Sequence, residues 1–550
     1  MMINNLAFDK YFFSRKGSHL SVDAHKGGFK VTSVRNVISD VNNMFFVAFE
    51  ETPEISFLPW ELTATTFRTQ ISVCLFGQDN LWIKGKGRGI DLCYFDYGNR
   101  YIANYAYRQG EKLYVCDYKN MAHQCYNPIK GKVEIDCPRR RGEVCSDSIT
   151  VRLIPDENGE FEVALEQFYT SSRVLAYTDF PYEECVKEAK ADYGTWAKKL
   201  QCKTQAEYKA AYVLWANTVY PCGNFEENAV LMSKAGMTAV WSWDNVINAM
   251  ALAKYDFDLA YYQFMLPYLY MDEFGCMPDS IRDGYIDRGY VKPPVQGFCY
   301  PYLIRQNPQF GKVEVLKNVY TAMKKNTDWW LNFRGENPVY LHGNDSGADN
   351  STCFDESEYI ESPDLSAFLS VQCDFLSEVA EKLGYCTDKR IYKQLADELA
   401  AKAIDRYWDG EIFVRLAETG EKYSSAGLLP LHLLVLGKRL PGEIINYILE
   451  RLKKHHFSKY GLASEALDSP LYIEDGYWRG PAWAPNQVIM TLALRAIGED
   501  DLADQIAEKY TKVLEKVGFF ENISTARQRG LRAKSYTWTA SAYLFLKEKV

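Results

Sequence analysis

Four loops of the chain carry acidic, aromatic and small residues at high density. They are 241–245 (WSWDN), 342–351 (HGNDSGADNS), 477–483 (YWRGPAW) and 519–522 (FFEN). Carboxylates can hold sugar hydroxyls, and aromatic rings can pack against the C–H face of a pyranose. Functional residues gather on such loops when a rigid scaffold holds them in place. The combination is compatible with chemistry on a carbohydrate, whereas the aromatic content by itself also fits the filling of a large core.

Asp349 and Glu521 are the two carboxylates that could cleave a glycosidic bond together. Hydrolysis needs one carboxyl group that protonates the leaving oxygen and a second that activates water or attacks the anomeric carbon. The two residues are 172 positions apart, so only a closed arrangement of helices would bring them together. The acid would need a raised pKa, which walls of aromatic residues could supply.

Each loop also has a purely structural interpretation. Asp244 could cap the helix that runs from Val246. The 342–351 loop could be a surface loop or a calcium loop, although it lacks the full carboxylate spacing of an EF-hand. Arg479, between two tryptophans, could make a cation–π stack in a corner between helices. The residue types alone leave these alternatives open.

Composition narrows the class of protein before any motif is considered. The chain has 550 residues, 47% hydrophobic and 25% charged, which predicts a globular protein of two or more domains. The formal net charge of −9 argues against nucleic acid or an anionic membrane as the main partner. No segment resembles a secretory signal or a membrane span. The 14 cysteines contain no CxxC pair, so a cytoplasmic protein with reduced thiols is expected, without metal or other cofactor.

Short, turn-bounded strands predict an antiparallel β-sandwich over residues 1–178. Residues 149–155 and 161–168 flank the turn-rich DENGE segment and predict a hairpin. Residues 101–107 and 112–118 form a second such pair around Gly110. A β-rich domain is therefore expected at the amino-terminal end.

Helical periodicity replaces the strand pattern near Pro181. Residues 179–202 predict a helical linker, and 203–550 predict ten to twelve helices joined by long loops. The pattern predicts helices over 365–383, ended by Gly384, and over 486–497, ended by Gly498, with Asp500 capping the next helix. A closed toroid and an open solenoid both fit this periodicity.

The ordered motifs WSWDN, SGADNS, YWRGPAW, FFEN and SYTWTA resemble glycoside hydrolase family 63 and, more broadly, the trehalase-related inverting glycosidases. The resemblance covers about 200–550 and implies a mainly α protein, with an (α/α)6 toroid preceded by an antiparallel β-sandwich. In this family the aspartate of the SG-x-DNS loop is the general acid, which matches Asp349. The glutamate of the (F/Y)EN motif is the general base, which matches Glu521. The residues that the resemblance places around the substrate are Trp243, Asp244, Gln296, Trp478, Arg479 and Trp483.

Two segments depart from the family pattern. The acid loop continues as DNSTCFD where the family has Pro-Arg-Trp after the serine, and ENISTARQRG replaces a Gly-rich stretch. The resemblance therefore implies an exo-acting inverting α-glycosidase that releases glucose from oligosaccharides or small glucosides, with the leaving group open. The alternatives are a trehalose or glycosyl-glycerate hydrolase, a non-catalytic glycan-binding protein, and a sugar epimerase or lyase.

Overall fold

The computed structural model describes residues 3–37, 42–95, 104–117, 121–138, 146, 148–169 and 181–548. The chain divides into two compact units. The first comprises Met1–Thr238 with the short segments Arg282–Tyr285 and Ala533–Ser535. The second comprises the remaining residues from Ala239 to the end of the chain.

The first unit is built on two antiparallel sheets. One sheet has six strands, in the spatial order β1 (Leu20–His25), β2 (Gly28–Ser33), β3 (Asn42–Ala48), β8 (Ile90–Tyr94), β13 (Thr150–Ile154), β12 (Lys132–Asp136). The other has eight, in the order β4 (Glu54–Leu58), β5 (Glu61–Thr65), β6 (Thr69–Phe76), β7 (Asn80–Gly87), β14 (Glu160–Phe168), β11 (Ala122–Lys130), β10 (Lys112–Asp117), β9 (Tyr105–Gln109). The predicted amino-terminal β-sheet domain is confirmed.

The two sheets bury apolar side chains and join through polar contacts between them. The hydroxyls of Tyr94 on β8 and Tyr126 on β11 lie 2.6 Å apart. Gln167 on β14 donates from Nε2 to Ser33 Oγ on β2 at 3.2 Å. Burial of a polar group costs little free energy only when the group is hydrogen-bonded. These bonds therefore fix the packing of one sheet on the other, because other arrangements would leave the polar groups unpaired.

One predicted hairpin is wrong and the other is confirmed. Strands β13 and β14 follow each other around DENGE, but each pairs with strands of a different sheet. Asp156 Oδ1 accepts from the backbone N–H groups of Asn158 and Glu160, and this turn carries the chain between the sheets. The pair β9 and β10 is a hairpin, with Lys112 opposite Gln109; residues 101–103 and 118 of that prediction lie outside the described residues.

Two helices complete the first unit. Helix α1 spans Tyr182–Lys199, within the predicted helical segment, and packs Tyr182 and Cys185 against Trp82 of the eight-stranded sheet. Helix α2 spans Gln205–Asn217 and begins with a capping box, in which Thr204 and Glu207 each bond to the other's backbone N–H. The short strands β15 (Thr218–Val219) and β16 (Ala229–Val230) pair with each other.

The second unit is helical. Its helices are α3 (Asp244–Leu252), α4 (Phe257–Leu269), α5 (Gln296–Gln306), α6 (Val313–Phe333), α7 (Pro363–Lys382), α8 (Cys386–Tyr407), α9 (Gly442–Arg451), α10 (Ala484–Ile497), α11 (Asp500–Val517) and α12 (Thr537–Lys547), with a 3₁₀ stretch at Leu429–Arg439. Short strands link them: β17 (Val240–Trp241), β18 (Ser280–Ile281), β19 (Ile286–Asp287), β20 (Val339–Tyr340), β21 (Ile360–Glu361), β22 (Val414–Leu416), β23 (Lys422–Tyr423), β24 (Ala482–Trp483), β25 (Phe520–Ile523) and β26 (Gly530–Lys534).

Six helical segments form a closed inner ring, which excludes a solenoid. Around the ring, α3 contacts α5, then α7, the 3₁₀ stretch, α10 and α12, and α12 contacts α3 again. All nine residues of α3 are buried, whereas α11 buries a single stripe from Leu502 to Val517 against α10 and α12. The inner helix α3 is therefore enclosed on all sides, and the outer helix α11 is amphipathic.

The helix ends agree with the sequence in part. Helix α7 starts at Pro363, and Gly384 follows it with a φ of +77°. Helix α10 ends before Gly498, which is left-handed. The predicted cap at Asp500 is wrong, because Asp500 is the first helical residue and Glu499 precedes the helix without a side-chain bond. In the described part of the chain, no helix is long and apolar enough to cross a membrane.

Candidate active site

The sequence-predicted site residues all lie in the first turn of an inner-ring helix or in the segment that precedes one. Asp244 opens α3 and Gln296 opens α5. Asp349 lies in the loop before α7, Trp483 directly precedes α10, and Glu521 lies on β25 before α12. Because successive inner helices of a ring of helical pairs run in the same direction, their first turns meet at one end of the ring. Residues up to 278 positions apart are thereby brought to the same end of the ring.

Asp244 is not a helix cap. It occupies the first position of α3, and the residue before it, Trp243, makes no side-chain bond to the helix end. The side chain is buried, and burial raises its pKa well above the ordinary value, with Lys292 opposing the rise and Asp279 adding to it. The structural interpretation of Asp244 as a cap is therefore excluded, and its carboxyl group lies among other charged groups.

The loop that carries Asp349 is held against the first turn of α3. Gly347 has a φ of +72°, and a Cβ at this position would lie 2.5 Å from Trp243 Cζ2. Asp345 anchors the loop by accepting from Arg334 Nη1 at 2.8 Å and from the backbone N–H of Val291 at 3.1 Å. Only glycine allows this backbone to approach the indole so closely.

Asp349 is partly buried, with 29% of its side chain exposed, and lies between two donors. Its Oδ1 is 4.0 Å from Lys292 Nζ, and the Tyr477 hydroxyl bonds to its carboxyl group. Burial raises its pKa above the ordinary value; Lys292 and Tyr477 oppose this rise, and Asp279 adds to it. A raised pKa favours the protonated form that a general acid needs.

Lys292 connects the acid loop to another buried carboxylate that sequence reasoning missed. Its Nζ lies 2.9 Å from Asp279 Oδ1 and donates to the Asn344 carbonyl at 2.8 Å and to the Asn344 side chain. Lys292 and Asp279 are both almost fully buried. The two residues lie in the segments MPDS and KPPVQG, and nothing in the spacing of these segments indicates that they pair.

Glu521 is 6% exposed and is placed by its backbone. In the ladder of β24 with β25, Asn522 lies opposite Trp483. Trp538 Nε1 donates to the Glu521 carbonyl at 3.0 Å. The strand and the indole together fix the backbone of the FFEN motif beside the 477–483 loop.

Three carboxylates surround two tyrosine hydroxyls. Asp244, Asp349 and Glu521 act electrostatically on both Tyr477 and Tyr536. Burial is the largest cause that raises the pKa of each tyrosine far above its ordinary value, and the carboxylates add to it. Electrostatic interaction weakens with distance, so this shared influence indicates that the three carboxylates lie near the same two hydroxyls. Tyr477 also holds a φ of +65°, a strained conformation for a bulky residue.

Tryptophans form a wall beside this cluster. Trp478 and Trp483 stack face to face, with ring centroids 4.0 Å apart and planes 4° from parallel. Trp243 lies 5.9 Å from Trp478, and Trp538 meets Trp483 edge to face at 5.5 Å. Trp243, Trp478 and Trp483 are all at most 5% exposed. Most of their surface therefore packs against protein, which makes them a rigid, water-excluding boundary.

Arg479 joins two loops. Its guanidinium forms an ion pair with Asp355, and its Nε donates to the Asn350 carbonyl at 2.9 Å. The Asn350 side chain accepts from the Trp478 N–H at 2.9 Å and donates to the Gly476 carbonyl at 3.0 Å. This clamp holds the acid loop against the 477–483 loop, and contact of Arg479 with a sugar stays a prediction.

Gln296 contacts the loop that leads into Asp244. It is 1% exposed, and its Nε2 donates to the Ser242 carbonyl at 3.3 Å. Its Oε1 is buried and accepts no hydrogen bond from the described residues. An unsatisfied buried acceptor is costly, and a sugar hydroxyl is one donor that could satisfy it.

A ring of paired helices with a carboxylate cluster at one end defines the class of (α/α)6 glycoside hydrolases. The model of the mannosylglycerate hydrolase MGH1-like glycoside hydrolase domain matches residues 237–539, more than half of the chain. The chain therefore belongs to this family and is a glycoside hydrolase. A comparison with curated protein sequences finds no match.

Solved structures show the same fold. A bacterial glucoamylase complexed with acarbose is 14% identical, with a TM-score of 0.62 over 100% of this chain and 96% of that one. The GH63 mannosylglycerate hydrolase from Thermus thermophilus in complex with glucose is 18% identical, with a TM-score of 0.55 over 62% of this chain and 100% of that one. The predicted β-sheet domain followed by an (α/α)6 toroid is confirmed.

Proposed function

We propose that this glycoside hydrolase is exo-acting and inverting, and that it releases a terminal glucose from α-linked oligosaccharides or small α-glucosides. The observation that carries the proposal is the convergence of Asp244, Asp349 and Glu521 on Tyr477 and Tyr536. A single inverting displacement needs an acid and a base facing each other across one bond. The cluster supplies more than one carboxyl group for these two roles.

Asp349 is the proposed general acid. Burial raises its pKa, so the carboxyl group can hold a proton until the glycosidic oxygen arrives. The Tyr477 hydroxyl and Lys292 stabilise the carboxylate that remains after the proton has moved. These opposing influences suit a group that first holds its proton and then releases it.

Glu521 is the proposed general base. It would take a proton from water as the water attacks the anomeric carbon on the face opposite the leaving oxygen. Asp244, with Trp243, Trp478, Trp483, Gln296 and Arg479 around it, would hold the released sugar. The tryptophan wall supports this role because it excludes bulk water, so that electrostatic interactions in the site are stronger than in solution.

A glycosyl-glycerate is the second candidate substrate. It is supported by the matching family model, which is named for mannosylglycerate hydrolase. It is also supported by the structure of the Thermus thermophilus enzyme in complex with Tris and D-glycerate. Such a substrate would place a small anionic leaving group beside Asp349.

The test is proton NMR of the anomeric signals during hydrolysis of α-glucosides, trehalose, α-mannosides and glucosyl- and mannosylglycerate. We expect β-glucose to accumulate before mutarotation when an α-glucoside is the substrate. Release of sugar only from the glycerates would favour the second candidate. Early α-glucose would show retention and would contradict the role of Glu521 as base.

Two amide variants test the assignment of roles. Asp349→Asn and Glu521→Gln should each lower kcat/KM by about 10²–10⁴-fold, because each removes one proton-transfer group. Glu336→Gln is the matched control, since that side chain is 86% exposed. Near-normal turnover by either site variant would remove that residue from its role.

A further inference from the structure

Cys222, His19 and Asp79 form a chain of polar contacts in the first unit, outside the residues assigned to glycoside hydrolysis. Cys222 Sγ lies 3.0 Å from His19 Nε2. On the other side of the ring, His19 Nδ1 lies 3.1 Å from Asp79 Oδ1. A thiol, an imidazole and a carboxylate in this order are the arrangement that activates nucleophiles in many unrelated hydrolases.

The carboxylate determines which nitrogen of His19 carries the proton. An ionised carboxylate only accepts hydrogen bonds, so Nδ1 donates to Asp79. In the neutral ring, Nε2 is then the acceptor, and it faces the thiol of Cys222. Arg35 holds the second oxygen of Asp79, with Nη1 3.3 Å from Oδ2. The imidazole is therefore oriented to take a proton from sulfur.

The surrounding structure buries the base and presents the thiol. His19 is 1% exposed and Asp79 is 9% exposed, whereas Cys222 is partly exposed on a turn between the exposed residues Pro221 and Gly223. The turn is closed by two backbone bonds between Cys222 and Phe225, each 2.9 Å. Gly223 has a φ of +53°, and a Cβ there would lie 2.0 Å from a backbone oxygen. The position of the thiol is thus fixed by a tight turn.

We propose that Cys222 is a nucleophilic thiol at which small, uncharged, soft electrophiles modify the protein, with His19 as general base and Asp79 as the residue that orients it. With a haloacetamide, the thiol proton moves to His19 Nε2 as Sγ bonds to the methylene carbon. The carbon–halogen bond breaks, and the halide leaves with the electron pair. The imidazolium, paired with Asp79, then returns its proton to water.

The resting thiol of Cys222 is protonated. Burial raises its pKa to about 12; Arg35 opposes the rise, and Asp283 and Asp79 add to it. A thiol with such a pKa has almost no free thiolate at neutral pH, so unassisted alkylation would be very slow. Reaction at pH 7 therefore requires proton transfer to His19, and this makes the proposal testable.

The test is time-resolved labelling of the folded full-length protein with iodoacetamide between pH 6 and pH 9, followed by mass spectrometry of each cysteine peptide. Cys386, which is exposed, is the internal reference. We expect Cys222 to be labelled at pH 7, and His19→Gln to slow its labelling about 100-fold while leaving Cys386 unchanged. Asp79→Asn should slow Cys222 by at least about tenfold, because the ring loses its orienting partner.

Two results would overturn the proposal. One is equal labelling of Cys222 in the wild type and in folded His19→Gln, with folding checked by circular dichroism. The other is found in the wild type alone. A rate of Cys222 labelling that rises about tenfold per pH unit up to pH 9 would mean that the thiol reacts only as a free thiolate. The absence of Cys222 labelling while Cys386 reacts would mean that the thiol is not a nucleophile.

Discussion

Replacement of Lys292 by methionine should shift the pH dependence of catalysis toward alkaline pH. Methionine keeps the length of the buried side chain and removes its charge. The ammonium lies 4.0 Å from Asp349 Oδ1 and favours the ionised carboxylate. Without it, the pKa of Asp349 rises. A general acid works in its protonated form, so the alkaline limb of the kcat/KM profile moves to higher pH.

The distance gives the size of the effect. Two unit charges 4 Å apart interact by about 4 kcal/mol at an effective dielectric constant of about 20, which corresponds to about 3 pKa units. Asp279 lies closer to Lys292, at 2.9 Å, and cancels part of its field at Asp349. Water also reaches the partly exposed acid and screens the pair. We therefore expect a shift of about 1 to 2 pH units.

The assay is the kcat/KM profile from pH 4 to pH 10 on the best substrate of the NMR panel. Lys292→Met leaves Asp279 as a buried carboxylate without its partner, which can destabilise the fold. The double variant Asp279→Asn/Lys292→Met removes both charges, and its limb should shift less than that of the single variant. An unchanged alkaline limb in folded Lys292→Met would refute the electrostatic argument.

Three further predictions each concern one residue of the second unit. Tyr477→Phe loses the hydroxyl that lowers the pKa of Asp349. The alkaline limb of its kcat/KM profile should therefore move to higher pH by about 1 unit in the same assay. Gly347→Ala places a Cβ against Trp243 and should lower the free energy of unfolding by about 3 kcal/mol, measured with urea. Gly384→Ala is its control, because Gly384 has a similar φ but open space around it, and this variant should lose only about 1 kcal/mol. Burial raises the pKa of Asp364 to about 6, so the folded protein favours the protonated carboxyl group. The stabilisation of the fold by this group is fully present below about pH 4 and is lost as the pH rises through 6. Wild type should therefore lose about 2 kcal/mol relative to Asp364→Asn between pH 4 and pH 7 in unfolding measurements, and a constant difference would contradict that pKa.

The sequence predicted the ends of several helices well, because the residues that start and stop a helix lie within or beside that helix. Pro363 and Gly384 bound α7, and Gly498 follows α10, because proline and glycine act on their own backbone. The failed hairpin shows the limit of this reasoning. Strand β14 pairs with β7 and β11, which lie 30 or more positions before it in the chain, instead of with its neighbour β13. Alternation and a turn predict two strands, but they do not select the sheet that each strand joins.

From the sequence, only those site residues could be predicted whose residue type and neighbours indicate a chemical role. Asp349 and Glu521 stood out as carboxylates in aromatic loops, and the structure places them in one cluster with Asp244. Lys292 and Asp279 did not, because their importance comes from a pairing across 13 positions that no periodicity requires. Residue spacing cannot show which buried lysine will neutralise which carboxylate.

The acid loop is attached to the neighbouring 477–483 loop through the DNSTCFD segment. Asp355, in the DNSTCFD segment, pairs with Arg479, and Asn350 bonds to the backbone of the same neighbouring loop. The clamp fixes both loops through side chains that could otherwise face a leaving group. If these contacts persist during catalysis, Arg479 supports the acid instead of binding the sugar. Arg479→Lys, which cannot reproduce the forked contact, should then lower kcat about equally for every substrate; a loss confined to one leaving group would instead show direct recognition.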